Sequence, residues 1–210
     1  MEKQRKLTFE KTFHDHPIKT DIAKGFACDE RILNAIERTL DSSLEQSSKS
    51  LVVRYDVRFP HGTSIDPDSN ETFKSFQSDF CKHLSRKGLK PKYVAVRECD
   101  TSPNPHYHVA LMLDGQKTQN PIGHLKKAEA TLARKLGMDT DKNNGLIHSC
   151  ETPASSTPYS VMVKRNESET YNDVFNSLSY LAKVATKPSS NIRELFVSKQ
   201  SAKPGNKIGR

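Results

Sequence analysis

Hydrophobic residues recur every two positions in some stretches of this chain and every three or four in others. These two periods divide it into elements. Val53, Tyr55, Val57 and Phe59 alternate with Arg54, Asp56 and Arg58, which predicts a strand over 51–59 with one buried and one wet face. Residues 93–98 (Tyr93-Val94-Ala95-Val96-Arg97-Glu98) and 106–113 (His106-Tyr107-His108-Val109-Ala110-Leu111-Met112-Leu113) read as two more strands. A turn from Asp100 to Pro105 joins them. Helical spacing takes over elsewhere. Ile22, Phe26, Leu33, Ile36, Leu40 and Leu44 predict a helix over 20–47. Phe73, Phe76, Phe80 and Leu84 predict one over 70–87, capped by Ser69 or Asn70 and stopped by Gly88. Leu125, Ala128, Leu132 and Leu136 predict a third over 121–136, and Val174, Leu178, Leu181 and Ala185 a fourth over 169–186. Short strands are expected over 145–150 and 159–164.

The central order is therefore β-α-β-β-α-β followed by a helix. It predicts an α+β fold: an antiparallel sheet of about five strands with split βαβ (ferredoxin-like) topology. Helices are expected on one face, with the other face open. Residues 1–50 are expected to be a polar arm and a helix packed on the main domain, 51–188 the main domain, and 189–210 a basic, flexible tail. No internal repeat is visible.

Composition narrows the class. In 210 residues the hydrophobic fraction is 34%, and 33 Lys and Arg against 25 Asp and Glu leave a net charge of +8. The isoelectric point is near 9.3 and the mean hydropathy −0.73. That balance favours a polyanionic partner, nucleic acid first and a membrane surface second. Cys28, Cys81, Cys99 and Cys150 form no C-x-x-C pair. A zinc ribbon or thioredoxin-type site is not indicated, and the thiols suit a reducing cytosol. The charged start is not a signal peptide, and no run is long and apolar enough to span a membrane. A soluble, cytoplasmic protein is expected.

Candidate chemistry concentrates in two places. On a strand, His106 and His108 point the same way and Tyr107 the other, about 6–7 Å apart along one face. Glu98 ends the neighbouring strand, and a hairpin returns it beside them. Two imidazoles and a carboxylate suit Mg²⁺ or Mn²⁺ and do not exclude Zn²⁺. A second H-x-H, His14-Asp15-His16, lacks an apolar frame and reads as solvent-exposed. The other place is the last helix, where Tyr180, Lys183 and Lys187 share one side. A phenol is a weak nucleophile until a nearby cation favours its ionised form.

Glu98, Pro105-His106-Tyr107-His108-Val109 and the later Tyr180-Leu181-Ala182-Lys183 together resemble the motifs of the HUH endonucleases. Within these they resemble the single-tyrosine rolling-circle replication initiators, in particular the inovirus-type replication proteins also found in prophages. The resemblance runs from Val52 to Lys187, with 54–60 a loose match to the first-strand motif and Tyr107 a departure from an apolar residue. It implies a metal-dependent nickase acting on one DNA strand in the cytoplasm of a bacterial host. The metal would lie at Glu98, His106 and His108, with Tyr180 as nucleophile and Lys183 and Lys187 in support. The resemblance also implies a 5′-phosphotyrosine intermediate, a free 3′-OH, and the capacity to rejoin strands. Single-stranded or origin DNA is the expected partner, with a host helicase and polymerase as candidates and no membrane. Arg54, Arg58, Arg97 and the basic tail (Arg193, Lys199, Lys203, Lys207, Arg210) are candidate phosphate contacts. Tyr55 or Tyr107 is a candidate base-stacking surface. The rival functions are a transposase or relaxase of the same chemistry, a non-catalytic DNA-binding regulator, and a metal-dependent hydrolase in which Tyr180 is structural.

Overall fold

Antiparallel pairing around one central hairpin organises the chain. The computed structural model describes residues 5–60, 62–63, 65–98, 104–152, 155–184 and 192–199. The elements in order are β1 (Leu7–Thr8), β2 (Thr12–Phe13), β3 (His16–Pro17), β4 (Cys28–Asp29), α1 (Glu30–Gln46), β5 (Lys49–Val57), α2 (Glu71–Arg86), β6 (Lys92–Glu98) and β7 (His106–Asp114). Then follow α3 (Ile122–Lys135), β8 (Ile147–Ser149), β9 (Glu151–Thr152), β10 (Ser155–Pro158), β11 (Ser160–Lys164), α4 (Ser168–Leu178), a 3₁₀ turn (Ser179–Ala182) and β12 (Leu195–Val197). The main sheet has six strands, in the order β11-β5-β7-β6-β12, with β8 also on β5. β11 pairs with the first half of β5 and β8 with its end, along the same edge. β7 lies antiparallel between β5 and β6, which is the split βαβ topology expected.

Strand alternation sends side chains into two cores. On one face Val53, Tyr55 and Val57 of β5 and Tyr107, Val109 and Leu111 of β7 meet Phe73, Phe76 and Phe80 of α2 and Leu132 of α3. Tyr107 stacks on Phe73 with ring centres 3.9 Å apart and planes 4° from parallel. On the other face Val52, Val94, Val96, Ala110 and Met112 meet Ile32, Ile36 and Leu40 of α1 and Val174, Phe175 and Leu178 of α4. The second face is therefore not open as expected. The N-terminal helix and the last helix both present an apolar stripe, and this face is where those stripes are buried.

Several boundaries also differ. α1 starts at Glu30, not 20, because Asp29 caps it by accepting from Arg31 N at 2.8 Å. Ile22, expected in its stripe, is 69% exposed on a turn that closes through paired Asp21 and Phe26, where Gly25 takes φ +66°. The first residues are more ordered than a polar arm: Phe13 and Ile18 are buried against α1 and α4. His14 is exposed beside Glu37, but His16 is half-buried, packed against Tyr171 and Phe175. Leu195–Val197, expected within the basic tail, pair with β6 because Phe196 is apolar enough to be buried in the core. Ser69, not Asn70, supplies the side-chain cap of α2, accepting from Glu71 N at 3.1 Å. Asn70 instead accepts from the Tyr107 hydroxyl at 2.8 Å.

Candidate metal centre

The second face changes character beyond the helices α1 and α4. Past Val52, Ala110 and Val96, the next side chains on this face are Arg54, Asp56, His108, His106 and Glu98. Register brings them together: Asp56 and Val96 flank His108, and Glu98 is opposite His106. His108 Nε2 lies 3.0 Å from Glu98 Oε2, and His106 Nε2 lies 3.5 Å from the same oxygen. One ligand atom from each of the three residues lies within 4.8 Å of the others, a group that could hold a metal ion.

Asp56 completes the arrangement, and the sequence reading missed it. His108 Nδ1 lies 2.6 Å from its Oδ1. With Nδ1 donating to Asp56, loss of the Nε2 proton, which otherwise is donated to Glu98, leaves an Nε2 lone pair free for a cation beside that carboxylate. This is how a carboxylate orients a metal-binding imidazole. The donor set therefore fits a divalent cation in chemistry as well as in spacing. Burial opposes charge on His108, but the hydrogen bonds to Asp56 and Glu98 outweigh it and raise its pKa to about 9. Burial likewise works against the Asp56 carboxylate, yet His108 and Arg58 hold its pKa below the ordinary range. A cavity of about 280 Å³, lined by Asp56, Arg58, Asn104, His106 and His108 among others, opens onto the two imidazoles.

Tyr180 stands on the same face. Its ring centre is 6.2 Å from that of His108, and the side chain is 39% exposed. It does not sit on an α-helix. α4 ends at Leu178, and the 3₁₀ turn carries Tyr180 because buried Ser179 holds the chain there. Ser179 Oγ donates to Asn176 O at 2.7 Å and accepts from Lys19 N at 2.8 Å. The chain then leaves as an extended segment, Val184 N donating to Ala27 O at 3.1 Å. Arg54 Cζ lies 5.6 Å from the Tyr180 ring centre and Lys183 Nζ 5.7 Å. Lys183 also lies over the Phe26 ring at 3.8 Å. Lys187 lies outside the described residues, as do Ala185 and the expected turn up to Pro103.

The DNA-contact candidates divide by face. Arg54 and Arg58 project toward the site, Arg58 within 3.3 Å of Asp56. Arg97 points into the opposite core, 1% exposed, and donates to Pro67 O, so it is not a surface phosphate contact. Tyr55 is fully buried with its hydroxyl 3.2 Å from Gln77, and Tyr107 is buried in the Phe73 stack. Neither offers a face to a base. No helix among the described residues is long and apolar enough to cross a membrane.

A family model described as the YagK/YfjJ C-terminal domain matches residues 8–197. No curated protein matches the chain. Among solved structures, the catalytic domain of the Adeno Associated Virus type 5 Rep protein is similar at a TM-score of 0.38 and 9% identity, over 62% of this chain and 96% of that one.

Proposed function

The chain belongs to the YagK/YfjJ C-terminal domain family, and we propose that it is a rolling-circle replication initiator that nicks one DNA strand by tyrosine attack. The observation that carries this reading is the approach of the Tyr180 ring to within 6.2 Å of His108, beside the Glu98–His106–His108 group. A divalent cation, Mg²⁺ or Mn²⁺, held by those three residues would polarise the scissile phosphodiester. Asp56 fixes the His108 ring so that Nε2 faces the cation site. Tyr180 Oη attacks phosphorus, the bond from phosphorus to O3′ breaks, and the 3′ oxygen leaves as a hydroxyl. The phenol proton passes to solvent, and solvent supplies the proton that the departing O3′ takes up. Arg54 and Lys183 place positive charge around the attacking oxygen and the phosphoryl oxygens. The 5′-phosphotyrosine ester keeps the energy of the diester, so attack by a 3′-OH reseals the strand. The free 3′-OH serves a host polymerase, and strand opening falls to a host helicase.

The test is a single-stranded oligonucleotide from the protein's own replicon, incubated with Mn²⁺ and resolved on a denaturing gel. The wild-type chain should gain the mass of a DNA fragment, and Tyr180→Phe should bind the DNA and gain none. An adduct that persists in Tyr180→Phe removes Tyr180 from the role and points to Tyr159 or Tyr171. DNA binding with no cleavage by wild type under any divalent cation favours a non-catalytic regulator.

A further inference from the structure

On the far face of the sheet, α2 and α3 lie side by side and each turns a polar stripe to the other. Asp79, Lys82, His83 and Arg86 are spaced so that they share one side of α2, and Lys127, Thr131, Arg134 and Lys135 one side of α3. These eight residues line a channel of about 410 Å³. Five cationic side chains there face one carboxylate, in a chain whose whole net charge is +8. Asp79 pairs with Lys135 at 2.7 Å and Lys82 at 3.5 Å. Arg86, Lys127 and Arg134 make no ion pair among the described residues. The excess charge is felt locally. His83 and His124 are held below the ordinary imidazole range, first by desolvation and then by surrounding cations that include Lys87.

We propose that this channel is a second DNA-binding surface, which takes the phosphate backbone of duplex DNA. Two converging rows of cations match a polyanion, and the concavity gives it a seat. Among the described residues the lining contains no Phe, Tyr or Trp on which unpaired bases could stack, and no large apolar side chain to enter a bilayer. What remains is charge and hydrogen-bond donors, suited to a backbone whose bases are paired and turned inward. The surface lies across the sheet from Glu98, His106 and His108, so duplex DNA can be gripped there while a single strand occupies the other face.

The experiment uses the full chain in chelator, without cleavage, so its outcome is independent of the nickase reading. Anisotropy of a short labelled duplex is followed between about 50 and 200 mM salt. The triple variant Arg86→Gln, Lys127→Gln, Arg134→Gln should bind more weakly, with a log–log salt slope shallower by about three. A control variant, Lys6→Gln, Lys11→Gln, Lys164→Gln, removes the same charge elsewhere and should keep the wild-type slope. If the triple variant melts early, Arg86→Gln alone should still lower the slope by about one. An unchanged slope in the triple or single variant overturns the proposal. An equal loss for single-stranded DNA overturns the duplex assignment, and a loss confined to anionic vesicles moves the surface to membranes.

Discussion

Replacing Asp56 by Asn keeps the shape of the side chain and removes its charge from behind His108. Two effects then oppose each other. Loss of an orienting carboxylate typically weakens metal affinity by about 10–100-fold, or roughly 1.4–2.7 kcal/mol. The same carboxylate, however, helps hold a proton on His108, whose pKa is raised to about 9. At pH 7 a cation must displace that proton, which lowers apparent affinity roughly 100-fold relative to its value above pH 9. Asp56→Asn relaxes part of this competition. At neutral pH the variant should therefore look deceptively close to wild type. A pH series separates the terms. Mn²⁺ or Zn²⁺ affinity, measured by calorimetry on the full chain, should climb about tenfold per pH unit from 7 to 9 in wild type. In Asp56→Asn it should level off at a lower pH, at a plateau about 10–100-fold weaker. A flat wild-type profile over that range, or a shared plateau, would refute the reasoning.

Two further outcomes follow from the same geometry. The raised pKa of His108 means that its ion pairs stabilise the metal-free fold fully below its ordinary 6.5, and that this contribution is lost as pH rises through about 9. Urea denaturation in chelator should show lower stability at alkaline than at mildly acidic pH, and the difference should shrink in Asp56→Asn. Ser179→Ala leaves Lys19 N without its acceptor and should cost about 0.5–1.5 kcal/mol in the same assay. It should also slow adduct formation at unchanged metal affinity, because the turn carrying Tyr180 is loosened; unaltered stability and rate would show that the turn is held by other contacts.

The hairpin was legible because an H-x-H inside an apolar strand has only one way to alternate. Once Tyr107 goes to the core, both imidazoles and Glu98 must go to the other side. The same alternation places Arg97 and Tyr55 in the core, since they share strands with Glu98 and Asp56 in the opposite phase. Residue type alone suggests a DNA contact at either position, and strand phase overrides it. Asp56 falls only within the loose 54–60 match, and its one physical signal is its position between Arg54 and Arg58 on the wet side of β5. The end of α4 was illegible because apolar spacing continues through Leu181. What stops the helix is Ser179, whose partner Lys19 lies 160 residues away in the chain. Leu195–Val197 is only three residues long, too short for a period to emerge, yet Phe196 is enough to add an edge strand.

The parity of the β6–β7 hairpin has a consequence for biogenesis. A shift of one residue along β7 would turn Tyr107 outward and thrust two imidazoles into the aromatic layer beneath. On the proposed metal site, only correctly zipped molecules would capture a cation at Glu98, His106 and His108. Loading with ion would then act as a quality stamp on the polypeptide, and sub-stoichiometric uptake in a preparation would register its misassembled fraction.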